Sequence, residues 1–173
     1  GANVASITYH FDGKEGLRAA CAEYIVETLR TLAAPLMSES LSPQSMTPDD
    51  AEKHLVRTLD TMVSFILATP EADEMTLFIL REMARPTTAL DAIYQGMFLP
   101  AHQRMCSLWS KATGEDAEAE ATRLTIFTLI GQIVYFKVGR AAVLRRMSWE
   151  AVDEDNAALI ADIRFLGRIL GDV

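Results

Sequence analysis

Residues 1–17 read Gly1-Ala2-Asn3-Val4-Ala5-Ser6-Ile7-Thr8-Tyr9-His10-Phe11-Asp12-Gly13-Lys14-Glu15-Gly16-Leu17. Asn3 has the side chain of a helix cap, and Val4 to His10 spans about two helical turns. Asp12 and Glu15 stand at capping-box spacing, just ahead of Leu17, Cys21, Tyr24, Ile25 and Leu29, an apolar series at helical intervals. The stretch therefore predicts a short helix, a break near Asp12-Gly13 and a longer second helix. That helix should end near Pro35, because the residue before a proline is pushed out of the α region.

Outward from this stretch the same punctuation recurs. Ser38 to Met46 is Ser-rich with a proline and reads as a loop. Thr47-Pro48-Asp49-Asp50 is a start signal: a cap, a proline in the first turn, and acids at the positive end of the helix dipole. Leu55, Leu59, Met62, Val63 and Ile66 then supply one apolar face. Thr69-Pro70-Glu71 starts another helix, which passes Phe78 and Met83 and stops before Pro86. A helix capped by Thr87 or Thr88 should run to about Thr113, kinked at Pro100 because proline lacks an amide hydrogen, and end at Gly114. A long helix is predicted over 116–146, and a last one over about 153–170. The fold class is all-α.

Composition agrees. Half of the 173 residues are hydrophobic, with 9 Gly and 6 Pro, so a helical chain of this size can bury a core. A net charge of -8 argues against a broad nucleic-acid surface and confines any such contact to a small segment. Cys21 and Cys106 have no paired spacing, so neither a disulfide framework nor a zinc site is expected, and a reducing cytoplasm fits. The most apolar run, Leu124 to Leu144, is interrupted by Gln132, Lys137 and Arg140 and suits a buried helix rather than a membrane span. No Gly-rich phosphate loop, nucleophile elbow or paired-carboxylate motif occurs, so no catalytic residue and no cofactor is expected. Asp50 and His54 stand one turn apart but lack further donors nearby for a metal.

In its order of residues the opening stretch resembles the end of the helix-turn-helix of the TetR family of transcription repressors. Gly1 matches the turn, Ile7 the apolar anchor of the recognition helix, Tyr9-His10-Phe11 its aromatic end, and Lys14-Glu15 with Leu17 the start of the following helix. The resemblance implies roles by position. Asn3 caps the recognition helix, Ala5, Ser6 and Tyr9 face base edges in the major groove, and Thr8, His10 and Lys14 hold the phosphate backbone. Thr8 stands where the family usually has tyrosine. In the family two helices precede the position of Gly1, so the expected fold is a TetR-like helical bundle with a truncated helix-turn-helix. Residues 1–34 would be the remnant of the DNA-binding domain and 35–173 a ligand-binding and dimerisation domain. The segment from Phe78 to Pro86, the Pro100 helix and the Leu129 to Leu144 helix are similar to the CecR-like branch of that family.

Two further patterns give candidate sites in the larger domain. Thr125, Thr128, Gln132, Tyr135 and Gly139 fall within about 80° of one helix face, a polar ledge on an apolar helix that could orient a mainly apolar effector or serve interhelical hydrogen bonding. Arg81, Tyr94, His102, Thr128, Gln132 and Tyr135 are the candidate ligand-binding residues. Arg81 and Glu82, with Arg85 near the helix end, could place charge beside such a pocket, although groups of this kind are ordinarily solvated or locally paired. The helix over 116–146 carries two apolar stripes, Leu124-Phe127-Gly131-Val134-Val138 and Ile126-Leu129-Ile133-Phe136. The last helix has a seam of Leu159, Ile163, Leu166 and Leu170. Ile133, Phe136 and that seam are the candidate homodimer interface, a four-helix contact about a two-fold axis. The expected protein is a repressor that binds operator DNA as a homodimer, is released by a small effector, and has no membrane partner. The alternatives are a helical small-molecule-binding protein without DNA activity and an enzyme built around Gln132 and His102.

Overall fold

A computed structural model describes residues 11, 13–38 and 42–161 of the chain. Among these the secondary structure is helical throughout, with no strand. The helices are α1 (Gly13–Ala33), α2 (Pro48–Val63), α3 (Glu71–Ala84), α4 (Thr88–Ile93), α5 (Leu99–Thr113), α6 (Glu120–Val138), α7 (Arg140–Met147) and α8 (Glu154–Ala161). Tight 3₁₀ turns cover Ala34–Leu36 and Pro43–Ser45, where the sequence predicts a helix end and a loop.

The start signals act as expected. Thr47 Oγ1 accepts from the Asp50 amide at 3.2 Å, with Pro48 in the first turn of α2. Thr87 is the residue that caps α4, accepting from the Ala89 amide at 3.3 Å. The Asp153 carboxylate accepts from the Asn156 amide at 2.8 Å at the start of α8. Asp12 and the seam residues Ile163, Leu166 and Leu170 lie outside the described residues.

Two expectations are corrected. The irregularity attributed to Pro100 lies upstream, as a widened π-helical turn at Tyr94–Phe98 that joins α4 to α5, with the Leu99 amide bonded back to the Tyr94 carbonyl. Pro100 offers no amide to the Gly96 carbonyl four residues earlier, and the Arg30 guanidinium of α1 approaches that oxygen at 3.5 Å instead. The helix expected over 116–146 is broken: α6 and α7 meet at Gly139 with a bend of 77°. The Gly139 amide turns back to the Tyr135 and Lys137 carbonyls. A Cβ at Gly139 would lie 2.9 Å from the Tyr135 carbonyl oxygen, so only glycine closes the turn without displacing backbone.

The chain divides into two compact units, one of residues 1–37 with 74–101 and one of 38–73 with 102–173. In the first, α1 packs on α4, and Ala22, Val26, Ala89 and Ile93 form a small core flanked by Phe78, Ile79, Met97 and Phe98. Gly96 lets the widened turn sit against α1, since a Cβ there would be 2.6 Å from Val26 Cγ1. In the second, α2 packs against α8 and α6. Leu55, Leu59, Leu67, Leu108, Trp109, Ile126, Leu129 and Ile160 belong to its core. Among the described residues no single helix is long and apolar enough to cross a membrane.

Candidate functional site

Of the residues expected to read DNA, Asn3, Ala5, Ser6, Thr8, Tyr9 and His10 lie outside the described residues. Lys14 is described: it is exposed in the first turn of α1. Arg18 follows one turn later. Its guanidinium is turned to Glu82 of α3, 3.4 Å away.

Glu82 is the largest departure from the sequence reading. It is only 3% exposed, and its partners come from other elements rather than from solvent or from its own helix. One carboxylate oxygen faces Arg18 Nη1 and the other accepts from the Thr87 hydroxyl at 2.6 Å. The signal lay in its phase: three and four residues after Ile79 and Phe78 it falls on the apolar face of α3, where a carboxylate needs a partner.

The candidate ligand residues are divided between the units. Arg81 and Tyr94 are exposed members of the first. His102, Thr128, Gln132 and Tyr135 belong to the second. His102 is stacked on Phe127 with ring centroids 4.1 Å apart. Its Nε2 lies 3.1 Å from the Arg123 carbonyl oxygen. That oxygen can only accept, so Nε2 carries the hydrogen and Nδ1 is left to accept from the Cys106 thiol at 3.6 Å. Burial, with the Glu118 carboxylate behind it, pushes the Cys106 thiol above its ordinary pKa, and Arg123 opposes the shift only in part. Cys106 is therefore a structural thiol.

On α6 the ledge does not form a buried floor. Gln132 is half-buried, but Thr128 and Tyr135 are exposed, and the Thr128 hydroxyl donates to the Leu124 carbonyl of its own helix at 2.9 Å. Tyr135 meets Phe136 edge-on at 6.1 Å. The two apolar stripes have opposite fates. Ile126, Leu129 and Ile133 are buried in the protomer's own core and Phe136 packs against it. Ile133 is thus covered within one chain, while Phe136 is only partly buried. The other stripe faces outward, with Leu124, Phe127 and Val138 at 56%, 59% and 65% exposure. Leu159 of α8, a seam residue, is also exposed.

Lys137 was missed as anything but an interruption. Its side chain is buried on α6 and its ammonium group is paired with Asp73 in the first turn of α3. His54 is buried beside Arg57, while Asp50 is exposed and bonded to Thr47. Among the described residues no group of three or more His, Cys, Asp or Glu side chains is placed to hold a metal ion.

The all-α body agrees with the class of the TetR-type transcription regulators that the opening sequence resembles. Within it, the family described as "HTH-type transcriptional dual regulator CecR, C-terminal domain" matches residues 51–166. The HTH-type transcriptional dual regulator CecR of Shigella flexneri is 32% identical over 166 residues, covering 92% of this chain and 73% of that protein. The chain belongs to the CecR branch of the TetR-type transcription regulators.

Proposed function

We propose that the full-length protein is a non-enzymatic, ligand-responsive repressor that binds operator DNA as a homodimer and releases it when a small, mainly apolar effector binds. The observation that carries the reading is the outward face of α6. Leu124, Phe127 and Val138 form a continuous apolar strip on a folded protomer of net charge -8, with Tyr135 and Gly131 along it. A contiguous apolar strip of this kind is suited to association, and a self-complementary patch closes most simply about a two-fold axis. Leu159, with Ile163, Leu166 and Leu170 beyond it in the sequence, is proposed to complete the interface. The proposed contact from α6 moves from Ile133 and Phe136 to this opposite stripe.

Thr128 and Tyr135 flank the strip, so their role is at the rim of the dimer. Gln132 remains the proposed polar anchor for the effector, and His102 acts by positioning Phe127, since both of its ring nitrogens already have partners. Arg81 and Tyr94 are kept as ligand contacts of the first unit. Asn3, Ala5, Ser6, Thr8, Tyr9, His10 and Lys14 are the proposed DNA contacts, with Lys14 neutralising phosphate without regard to sequence. The protein is placed in the cytoplasm by that role.

The test is binding of the full-length protein to a labelled duplex spanning the promoter upstream of its own gene, across a salt series and against competitor DNA. Saturation at two protomers per site, with affinity falling linearly in log salt, is expected. Affinity no greater than for competitor DNA removes the repressor reading and leaves a helical ligand-binding protein.

A further inference from the structure

We infer that Glu82 is a positioning residue for the DNA-facing end of α1 that carries Lys14, holding the first turns of α1 in register through Arg18 while fixing the start of α4 through Thr87. The inference rests on the DNA-binding reading above. Arg18 lies in the second turn of α1, four residues after Lys14, the proposed phosphate contact in the first turn, so whatever orients α1 there orients Lys14.

The geometry makes Glu82 a three-way joint. Its Oε1 faces Arg18 Nη1 at 3.4 Å. Its Oε2 accepts from the Thr87 hydroxyl at 2.6 Å. The Thr87 Oγ1 in turn accepts from the Ala89 amide, and α4 carries Ala89 and Ile93 into the core made with Ala22 and Val26 of α1. One carboxylate therefore ties three helices of the same compact unit.

Stability alone does not call for a charge at this position. Glu82 is nearly solvent-free on the helix face that it shares with Phe78 and Ile79, and an apolar side chain of the same size would fill the space at no desolvation penalty. A buried carboxylate does something that an apolar group cannot: it accepts only one arrangement of α1, the one that presents Arg18. The Arg18 side chain is 43% exposed and can move out into water, whereas that of Glu82, at 4%, cannot follow it. A shift of α1 along its axis would leave the carboxylate buried without its cation, and that asymmetry makes the joint sensitive to register.

The test uses the full-length protein with Glu82→Met, Glu82→Gln, Arg18→Gln and the Glu82→Met/Arg18→Gln double variant. Three quantities are read: thermal midpoint, amide hydrogen exchange over residues 13–22, and affinity for the promoter duplex across a salt series. Glu82→Met should keep its thermal midpoint but exchange faster over 13–22 and bind the duplex roughly tenfold more weakly, a loss within the range of site-to-site coupling. Glu82→Gln, which retains an acceptor for Thr87, should show the same loss of affinity with α4 unperturbed. Arg18→Gln should match it, the double variant should lose no more than either single one, and the salt slope should stay that of wild type.

Losses that add in the double variant overturn the proposal. So does a lower salt slope for Arg18→Gln together with tighter DNA binding by Glu82→Met, which makes Arg18 a phosphate contact that Glu82 masks. A wild-type protein that does not bind the duplex sinks the DNA reading and the proposal with it. A wild type that binds, with Glu82→Met binding equally well, sinks the proposal alone.

Discussion

Gly96 and Val26 set how closely α1 approaches the widened turn before α5. A methyl group at Gly96 would lie 2.6 Å from one Val26 methyl and 3.2 Å from the other. Valine is stiff about χ1, so it cannot swing aside. Gly96→Ala should therefore destabilise the protein by about 1–3 kcal/mol despite the gain in helix propensity. Val26→Ala should recover part of that loss, so the double variant is more stable than the sum of the single ones, as urea unfolding would show. Cys106 gives a second test at this scale. Its thiol keeps its proton above the ordinary value of 9.0, so as pH rises past that value the folded state holds a proton the unfolded state has lost. Stability falls in that window, and Cys106→Ala should flatten the alkaline decline relative to wild type. A thiol reagent should modify Cys106 only at the rate of unfolding.

Between elements, the decisive contact is the pair of Lys137 on α6 with Asp73 on α3. The two partners differ in surroundings: the Lys137 side chain is 9% exposed and that of Asp73 49%. Removing the exposed partner strands a buried cation, whereas replacing the buried one by an apolar side chain removes the charge from the interior altogether. Asp73→Ala should thus lower the thermal midpoint more than Lys137→Met, which should be neutral or stabilising. The reverse order would mean that Lys137 is solvated in solution. The bend at Gly139 belongs to this scale too, because it redirects the chain so that α7 buries Val143 while Arg145 and Arg146 stay in water.

For the whole molecule, the outward strip of α6 is the proposed association surface. Phe127→Glu places a charge at a position that is already more than half exposed in the protomer, so the fold should survive with unchanged helicity. Two such charges would face each other across a two-fold interface, and the mass by light scattering should fall from dimer to monomer. A dimeric Phe127→Glu protein would place the interface elsewhere.

The sequence by itself determined the helical class, most of the helix boundaries and the family likeness. Each rests on local chemistry: caps such as Thr47, prolines such as Pro86, and a 3.6-residue apolar period are legible without neighbours. It also exposed both stripes of α6 but left open which one faces inward, since two apolar faces on one helix look alike until the other helices are placed. Only the tertiary structure decided that Ile126, Leu129 and Ile133 form the core and that Leu124, Phe127 and Val138 face out. The same holds for charge. Glu82 and Lys137 read as solvated or interrupting groups because their partners, Arg18 and Asp73, are each 64 residues away along the chain. Pairing across such a distance depends on the packing of whole helices, and no local pattern of residues encodes it.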